Sequence, residues 1–477
     1  MKRLILYCAA ASCCLSLRAQ TVQEAEAVPQ DTSTTVLTLE DALKIALSEN
    51  VSVKVADKEI QRAQYAKRGT YAALFPQIDG SFAYQRTIKK QVMYMDFDMS
   101  SLGMGGNIPG GEGTGSGSSS GSGSPSGGLE VGRWNTWSAG VTASMPLVNA
   151  QLWEGIKISG EEVELAVEKA RGSRLDMVTQ VKSAFYTVLL SKEALKVYQQ
   201  VYDNAQKNLD VTQMKYNAQK ASEMELVRAK TTVANAVPNL YSAANDLDLS
   251  LWQLKAVMGL DLERNIDVAG SLEDYAQQMF YDVHSRDSVD VSRNTSLRQM
   301  DIQLSELSRS VKMNKFAYIP SLALAFNYSY NAMTNDFNFK EYKWTPYSYV
   351  GLSLNIPIFS GMKRYNAVKQ SKVQLEQVQL QRDNAEKQLR IAVKSDLGTM
   401  ESNMNGYYAA QSAVQSAQKG YDISSVSYEV GRSTLVEVND AMLALAQAQL
   451  MQWQSVYSFL VAKADLEKQI GMDNIQE

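Results

Sequence analysis

AALFPQIDGSFAYQ, Ala72 to Gln85, runs from a helix-like segment into a proline and then into residues that alternate in polarity. The chain repeats this arrangement as FAYIPSLALAFNYSY, Phe316 to Tyr330. Proline lacks a backbone donor and forces its predecessor out of helical backbone, so each proline ends a helix, and the alternation after it begins a strand. After Pro76, Ile78, Phe82 and Tyr84 fall on one face and Gln77, Asp79 and Ser81 on the other. After Pro320, Leu322, Leu324, Phe326 and Tyr328 oppose Ser321, Ala323, Asn327 and Ser329. Return strands follow the same rule: Val141, Ala143 and Met145 oppose Thr142 and Ser144 near Pro146, and Leu352, Leu354 and Ile356 oppose Gly351, Ser353 and Asn355 near Pro357. Trp134, Trp137, Trp344, Tyr347 and Tyr349 gather near the strand ends, as in the aromatic girdle of a membrane interface. A soluble sandwich would alternate too, but the chain offers no third or fourth pair of strands to cover these two.

The two stretches belong to a longer repeat. Tyr216 and Tyr428, Glu225 and Glu437, Leu254 and Leu466, and Gly259 and Gly471 all stand 212 residues apart. Pro146 and Pro357 stand 211 apart, and Pro76 and Pro320 stand 244 apart. The extra residues of the first half fall at 101–128, SLGMGGNIPGGEGTGSGSSSGSGSPSGG, a Gly/Ser loop with too little apolar area to order itself. Its counterpart around NAMTNDFNFKEYKW is shorter and aromatic. From 152 to about 216 there is no proline, and Val181, Phe185, Val188, Leu195, Tyr198, Tyr202, Ala205 and Leu209 recur at helical steps, interrupted at Lys192. Some 65 residues at about 1.5 Å each make a rod of roughly 95 Å, too long for one globule and suited to a coiled coil. The second half repeats the rod, with Leu375, Val378, Ala385, Leu389 and Ala392 on its stripe. Each rod is followed by a break and a partner helix, the first of which Pro238 is expected to kink.

The expected organisation is a signal peptide at 1–19, an N-terminal extension at 20–36, a first repeat at 37–264 and a second at 265–477. The first repeat holds a helix at 39–75, strands at 77–96 and 131–147 around the loop, and helices at 151–216 and 222–258. The second holds a helix at 287–318, strands at 320–332 and 345–358, and helices at 362–428 and 434–471.

MKRLILYCAAASCCLSLRAQ has the basic start, apolar middle and small-residue end of an export signal cut near Ala19. A lipoprotein cut at Cys13 is the alternative, although apolar residues continue past it. Cys8, Cys13 and Cys14 all lie in this segment, which leaves the mature chain without a thiol. The balance of 47 basic and 51 acidic residues gives a net charge of −4, with no basic surface for nucleic acid. No later segment has 18 consecutive apolar residues, so an exported chain of this kind is soluble, peripheral, or embedded through strands as a β-barrel. A closed barrel needs about eight or more strands, and four per chain cannot close one. Several copies must share a barrel, with the helices as a common cylinder beneath it.

Four motifs in order on this repeat resemble the outer-membrane efflux proteins of the TolC family. They are LTLEDALKIALSEN at Leu37 to Asn50; LFPQ at Leu74 to Gln77 with YIPSL at Tyr318 to Leu322; SLNIPIFSGMKR at Ser353 to Arg364; and SYEVGRSTLVEVNDAMLALAQAQ at Ser427 to Gln449. The resemblance covers the mature chain apart from the Gly/Ser loop and TVQEAEAVPQDTSTT. It implies an α+β membrane protein, a homotrimer whose long α-helical coiled-coil tunnel continues into a 12-stranded β-barrel, four strands per chain. It also implies an outer-membrane location with a large periplasmic portion, and an exit duct for a tripartite efflux or type I secretion system. The implied partners are outer-membrane lipid, a periplasmic adaptor and an inner-membrane transporter.

No catalytic constellation, cofactor motif or metal cluster stands out; His284, beside Asp282 and Asp287, is the single histidine and reads as a solvated residue. The informative residues lie at the helix breaks. In YEVGRSTLVEVND, Gly431 permits a turn, Ser433 or Thr434 caps the next helix, and Glu437 and Asp440 share a face. Carboxylates there suit the helix dipole, and that structural reading stands on its own. The resemblance adds another: Glu437 and Asp440 match the acidic pair that rings the periplasmic mouth, where six carboxylates would give cation preference and raised pKa values. It also places Tyr428 and Glu225 in a latch whose arginine position holds Ser433, with Arg432 one residue earlier and turned about 100° away along a helix. Ala221, Ser222, Gly431 and Thr434 are the expected adaptor-docking tips, and Pro76, Pro146, Pro320 and Pro357 the helix–strand junctions. A pore-less periplasmic coiled-coil adaptor is the rival reading.

Overall fold

A computed structural model of the chain describes residues 35–93, 129–277, 279 and 290–472. The signal peptide with its cysteines, nearly all of the extension 20–36, the Gly/Ser loop 101–128 and His284 with Asp282 and Asp287 lie outside the described residues.

Strand β1 (Thr35–Leu37) leads into helices α1 (Leu39–Glu49) and α2 (Val51–Ala72). Strand β2 (Gln77–Arg86), the short β3 (Gln91–Met93) and β4 (Leu129–Val131), and β5 (Asn135–Val148) follow, then α3 (Ala150–Asn217) and α4 (Glu223–Met258). Strand β6 (Ile266–Val268) and α5 (Leu272–Ala276) join the halves. The second half runs through α6 (Thr295–Phe316), β7 (Ser321–Thr334), β8 (Thr345–Asn355), α7 (Lys363–Glu429) and α8 (Leu435–Ile470).

Both prolines sit at seams between helix and strand. Helix α2 tightens into i→i+3 bonds, Leu74 N to Tyr71 O at 3.0 Å and Phe75 N to Ala72 O at 3.1 Å, and α6 does the same with Ile319 N to Phe316 O at 3.0 Å. Strands β2 and β7 begin one residue after Pro76 and Pro320. The return junctions differ from expectation. Strand β5 runs past Pro146 to Val148 with a register shift between them, because β2 starts opposite Ser144 and leaves that side of β5 without a partner to miss the proline's N–H. Strand β8 stops at Asn355, so Pro357 lies beyond it and the expected strand 345–358 is shorter.

Three expected elements are broken or late. The helix expected at 39–75 divides at Asn50, which has extended backbone (φ −60°, ψ 130°) and caps α2 by accepting from Ser52 N at 2.7 Å. The helix expected from 287 starts at Thr295, where Asn294 takes the same conformation (φ −59°, ψ 129°) and accepts from Leu297 N at 3.0 Å. The remaining amide of each asparagine ties down the end of a neighbouring helix: Asn50 donates to Val257 O at 2.6 Å and Asn294 to Gln469 O at 2.8 Å. The strand expected at 77–96 is interrupted after Arg86. Helix α3 runs unbroken through Lys192, as expected; the ammonium that interrupts the stripe bonds Val268 O at 2.6 Å and Asp267 at 2.5 Å. Helix α4 likewise continues through Pro238. Thr35–Leu37, expected at the junction of the N-terminal extension and the first repeat, pairs in parallel with β6.

The main core lies at mid-length, where Phe185, Leu189, Leu254, Met258, Leu272, Met400, Phe459 and Leu466 from both halves are fully buried. No helix among the described residues is long and apolar enough to cross a membrane.

Four strands form one antiparallel sheet in the order β2–β5–β7–β8, and the short β3 and β4 pair separately. Its register matches like with like: Ile78 faces Ala143, then Phe326, then Val350, while Asp79 faces Thr142, then Asn327, then Tyr349. One face is therefore apolar across all four strands and the other polar, and both are bare; Ile78 is 70% exposed and Leu352 67%. Parity sends Tyr347 and Tyr349 to the polar face, opposite Ser329 and Asn327, which removes them from the girdle expected on the apolar side. Trp137 stays on the apolar face, stacked on Tyr84 at 4.2 Å between ring centroids.

The helices keep the same lateral order as the strands. Next to the sheet they run α2–α3–α6–α7, and toward the tips α4–α3–α8–α7. Every layer thus ends in an open edge, β2, α2 and α4 on one side and β8 and α7 on the other.

The helix tips as the candidate functional site

At the ends remote from the sheet, the α3–α4 and α7–α8 hairpins close with the same turn. Gln219 N donates to Tyr216 O at 2.9 Å and Lys220 N to Lys215 O at 2.8 Å; 212 residues on, Gly431 N donates to Tyr428 O at 3.0 Å and Arg432 N to Ser427 O at 2.8 Å. This double closure requires left-handed backbone, φ +81° at Gly431 and +55° at Gln219. Arg432 and Ser433 consequently lie in a turn, and the 100° helical offset expected between them does not apply.

Capping boxes start the outgoing helices. Ser222 Oγ accepts from Glu225 N at 3.2 Å and Glu225 accepts from Ser222 N at 3.3 Å. Thr434 Oγ1 accepts from Glu437 N at 3.4 Å and Glu437 accepts from Thr434 N at 3.3 Å. Ser433 Oγ also donates to the Glu437 carboxylate. These bonds, with Ser433 foremost, hold the Glu437 carboxyl below its ordinary value of 4.5. Leu435, Val438 and Met442 turn inward, leaving Glu437 and Asp440 on the exposed face of α8. Ala221, Ser222, Gly431 and Thr434 occupy the two turns themselves.

Tyr428 is 3% exposed and packs with Ala205, Ala229, Leu435 and Val438. Its hydroxyl shares a 2.7 Å hydrogen bond with Thr212 Oγ1. One turn along α3, Lys215 Nζ donates to the Tyr428 carbonyl and lies 3.7 Å from the centre of its ring. Burial pulls the Lys215 ammonium below its ordinary value, against the favourable field of Glu225 and Glu429. Burial also raises the Tyr428 phenol. The structure therefore brings Tyr428 to Thr212 and Lys215, while Glu225 hydrogen-bonds its own helix start and Ser433 turns to Glu437. Sequence reading singled out neither Thr212 nor Lys215; the repeat keeps a hydroxyl at Ser424 but places Ser427 opposite Lys215, so the twofold pattern carries no trace of the lysine. Asn50 and Asn294, missed as joints, share the 244-residue spacing of Pro76 and Pro320, the signal by which they could have been found.

Residues 42–260 and 291–472 match the model of the outer membrane efflux protein family. The chain belongs to that family. This outer membrane efflux protein is 21% identical to the outer membrane protein TolC of Escherichia coli (strain K12) over 357 residues, 72% of this chain and 71% of TolC. It is 23% identical to the pyoverdine export outer membrane protein OpmQ of Pseudomonas aeruginosa, over 71% of this chain and 70% of that one. The same fold occurs in the Campylobacter jejuni CmeC outer membrane channel, with a TM-score of 0.67 at 16% identity over 91% of this chain and 85% of CmeC. It occurs again in VceC of Vibrio cholerae, with a TM-score of 0.67 at 13% identity over 91% and 96%. The match runs through both strand pairs and both helical hairpins, which favours an outer-membrane efflux channel over a pore-less adaptor.

Proposed function

We propose that three copies of this chain form a passive exit duct, a shared twelve-stranded barrel in the outer membrane continued by a helical tunnel in the periplasm. The observation that carries it is the bare sheet with one polar and one apolar face and an open edge on each side. Edges in lipid must be paired, so β2 of one copy takes β8 of the next. Two copies would give eight strands, whose interior is filled by side chains; three give twelve, the smallest multiple of four that leaves a lumen. The polar face, with Asp79, Thr142, Asn327 and Ser329, lines that lumen. Strand β2, with ten residues tilted about 45°, reaches the roughly 25 Å of an outer-membrane apolar band. Helix α3, with 68 residues, extends about 100 Å away from it.

Substrate would arrive from an inner-membrane transporter through a periplasmic adaptor seated on the turns at Ala221, Ser222, Gly431 and Thr434. Glu437 and Asp440, exposed and three apart, would repeat three times around the mouth and attract cations. Outer-membrane fractions heated below boiling before electrophoresis should show an oligomer that boiling converts to monomer. In planar bilayers the channel should prefer cations, and Glu437→Ala with Asp440→Ala should lower that preference. A chain found only in the soluble fraction would end the duct reading, and unchanged selectivity would reduce the two carboxylates to helix caps.

A further inference from the structure

Within the sheet the repeat holds to the single residue. Strands β2 and β7 correspond at the 244-residue spacing of Pro76 and Pro320, and β5 and β8 at the 211-residue spacing of Pro146 and Pro357. Gln77 opposite Ser144 thereby becomes Ser321 opposite Asn355, and Arg86 opposite Asn135 becomes Tyr330 opposite Pro346; the structure has all four pairs. The remaining seam, β5 with β7, joins one repeat to the next. In the ring proposed above, its counterpart is β8 of one chain with β2 of a neighbour. The edge strands stop where that partner is missing. Strand β5 runs four residues past its last pair with β2, to Val148, and β7 runs three past its last pair with β8, to Thr334, each held there by the other. Strand β8 ends at Asn355, the equivalent of Ser144, and β2 ends at Arg86, one residue short of the equivalent of Asn331.

We infer that neighbouring chains pair with Ser81 opposite Asn355 and Phe82 opposite Leu354, and that this contact carries β8 on through Pro357 to Phe359. Ser353 then meets Ala83 and Leu352 meets Tyr84, so the apolar and polar faces of the sheet continue from chain to chain. The register shift between Pro146 and Val148 recurs between Pro357 and Phe359, with Phe359 opposite Ile78 as Val148 is opposite Leu322. A one-residue slip would set Leu354 against Ser81 or Ala83 and turn one chain's faces over. A two-residue slip keeps the faces, and the repeat decides against it.

This register presupposes the shared barrel, which the heat-labile oligomer tests separately. In outer-membrane fractions treated with a mild oxidant, Ser81→Cys with Asn355→Cys, and Phe82→Cys with Leu354→Cys, should give dimers and trimers that survive boiling and vanish with reductant. Ile78→Cys with Phe359→Cys should do the same through the extension of β8. Ser81→Cys with Ser353→Cys, which only a two-residue slip would bring opposite, holds the Cα atoms roughly 8 Å apart, beyond disulfide reach, and should link at least about tenfold more slowly. Ser144→Cys with Ala325→Cys, the equivalent pair within one chain, should close without a change of mass. Each single variant should boil to monomer, which controls for Cys8, Cys13 and Cys14. Faster linking of the slipped pair overturns the register and leaves the shared barrel standing. So does closure of the within-chain pair with no link between chains, where the heat-labile oligomer is present. Linking at 81 and 355 without linking at 78 and 359 overturns the extension of β8. A wild-type chain without the oligomer overturns register and barrel together.

Discussion

Gln219 holds φ +55° where the other three hairpin and helix ends of the repeat, at 259, 431 and 471, use glycine with φ +76°, +81° and +72°. A side chain in left-handed backbone costs about 1 kcal/mol, so Gln219→Gly should stabilise the first tip by up to that amount, read as a higher unfolding midpoint. Gly431→Gln should cost a similar amount. Asn50 and Asn294 each serve a cap with one amide atom and a distant helix end with the other. Either one replaced by alanine should lose about 1–2 kcal/mol and expose the joint to protease. Glu437 has its folded pKa lowered, so its contribution to the α8 cap is complete above the ordinary 4.5 and is lost as pH falls through the depressed value. Carboxylate titration of the dispersed chain should find it below 4.5. Clustered carboxylates in an assembled mouth push the other way, and an apparent value above 4.5 there would show that mutual repulsion outweighs the cap.

At the level of elements, the alternation after Pro76 and Pro320 gave the strands and their two faces, because period two in polarity leaves little choice of register. One step along β2 should therefore separate two outcomes. Phe82→Arg puts a charge on the apolar face and should cost about 2–4 kcal/mol of barrel stability. Ser81→Arg, on the polar face, should leave stability nearly unchanged and reduce cation preference in bilayers. The same parity rule, applied to Tyr347 and Tyr349, would have shown that they do not share the face of Leu352 and Leu354; being aromatic outweighed being odd-numbered. The breaks at Asn50 and ahead of Asn294 were harder to read. Apolar periodicity continues across such a joint, and beyond the shared spacing of the two asparagines it is the second hydrogen bond, to a helix more than a hundred residues away, that distinguishes each from an ordinary helical position. Lys192 interrupts the apolar stripe without breaking the helix, as expected, but what its ammonium bonds, strand β6, could not be read from the stripe.

Across the whole molecule, the twofold repeat exposed the architecture because both halves keep the same order of seam, strand, rod and turn. The tip contacts stayed hidden because they set one half against the other, Lys215 against Tyr428, where the repeat predicts sameness and the chain has a difference. The bare sheet has a consequence for how the protein comes into being. A single copy arriving beyond the inner membrane carries an apolar face that neither core nor lipid yet covers, and two strand edges ready to pair with any other chain. In the shared barrel proposed above, this portion is complete only as a joint product of several copies, so maturation should depend steeply on the concentration of newly exported chains. At low expression, half-made subunits would wait on escorts and proteases, and the number of finished ducts would fall faster than the amount of protein synthesised.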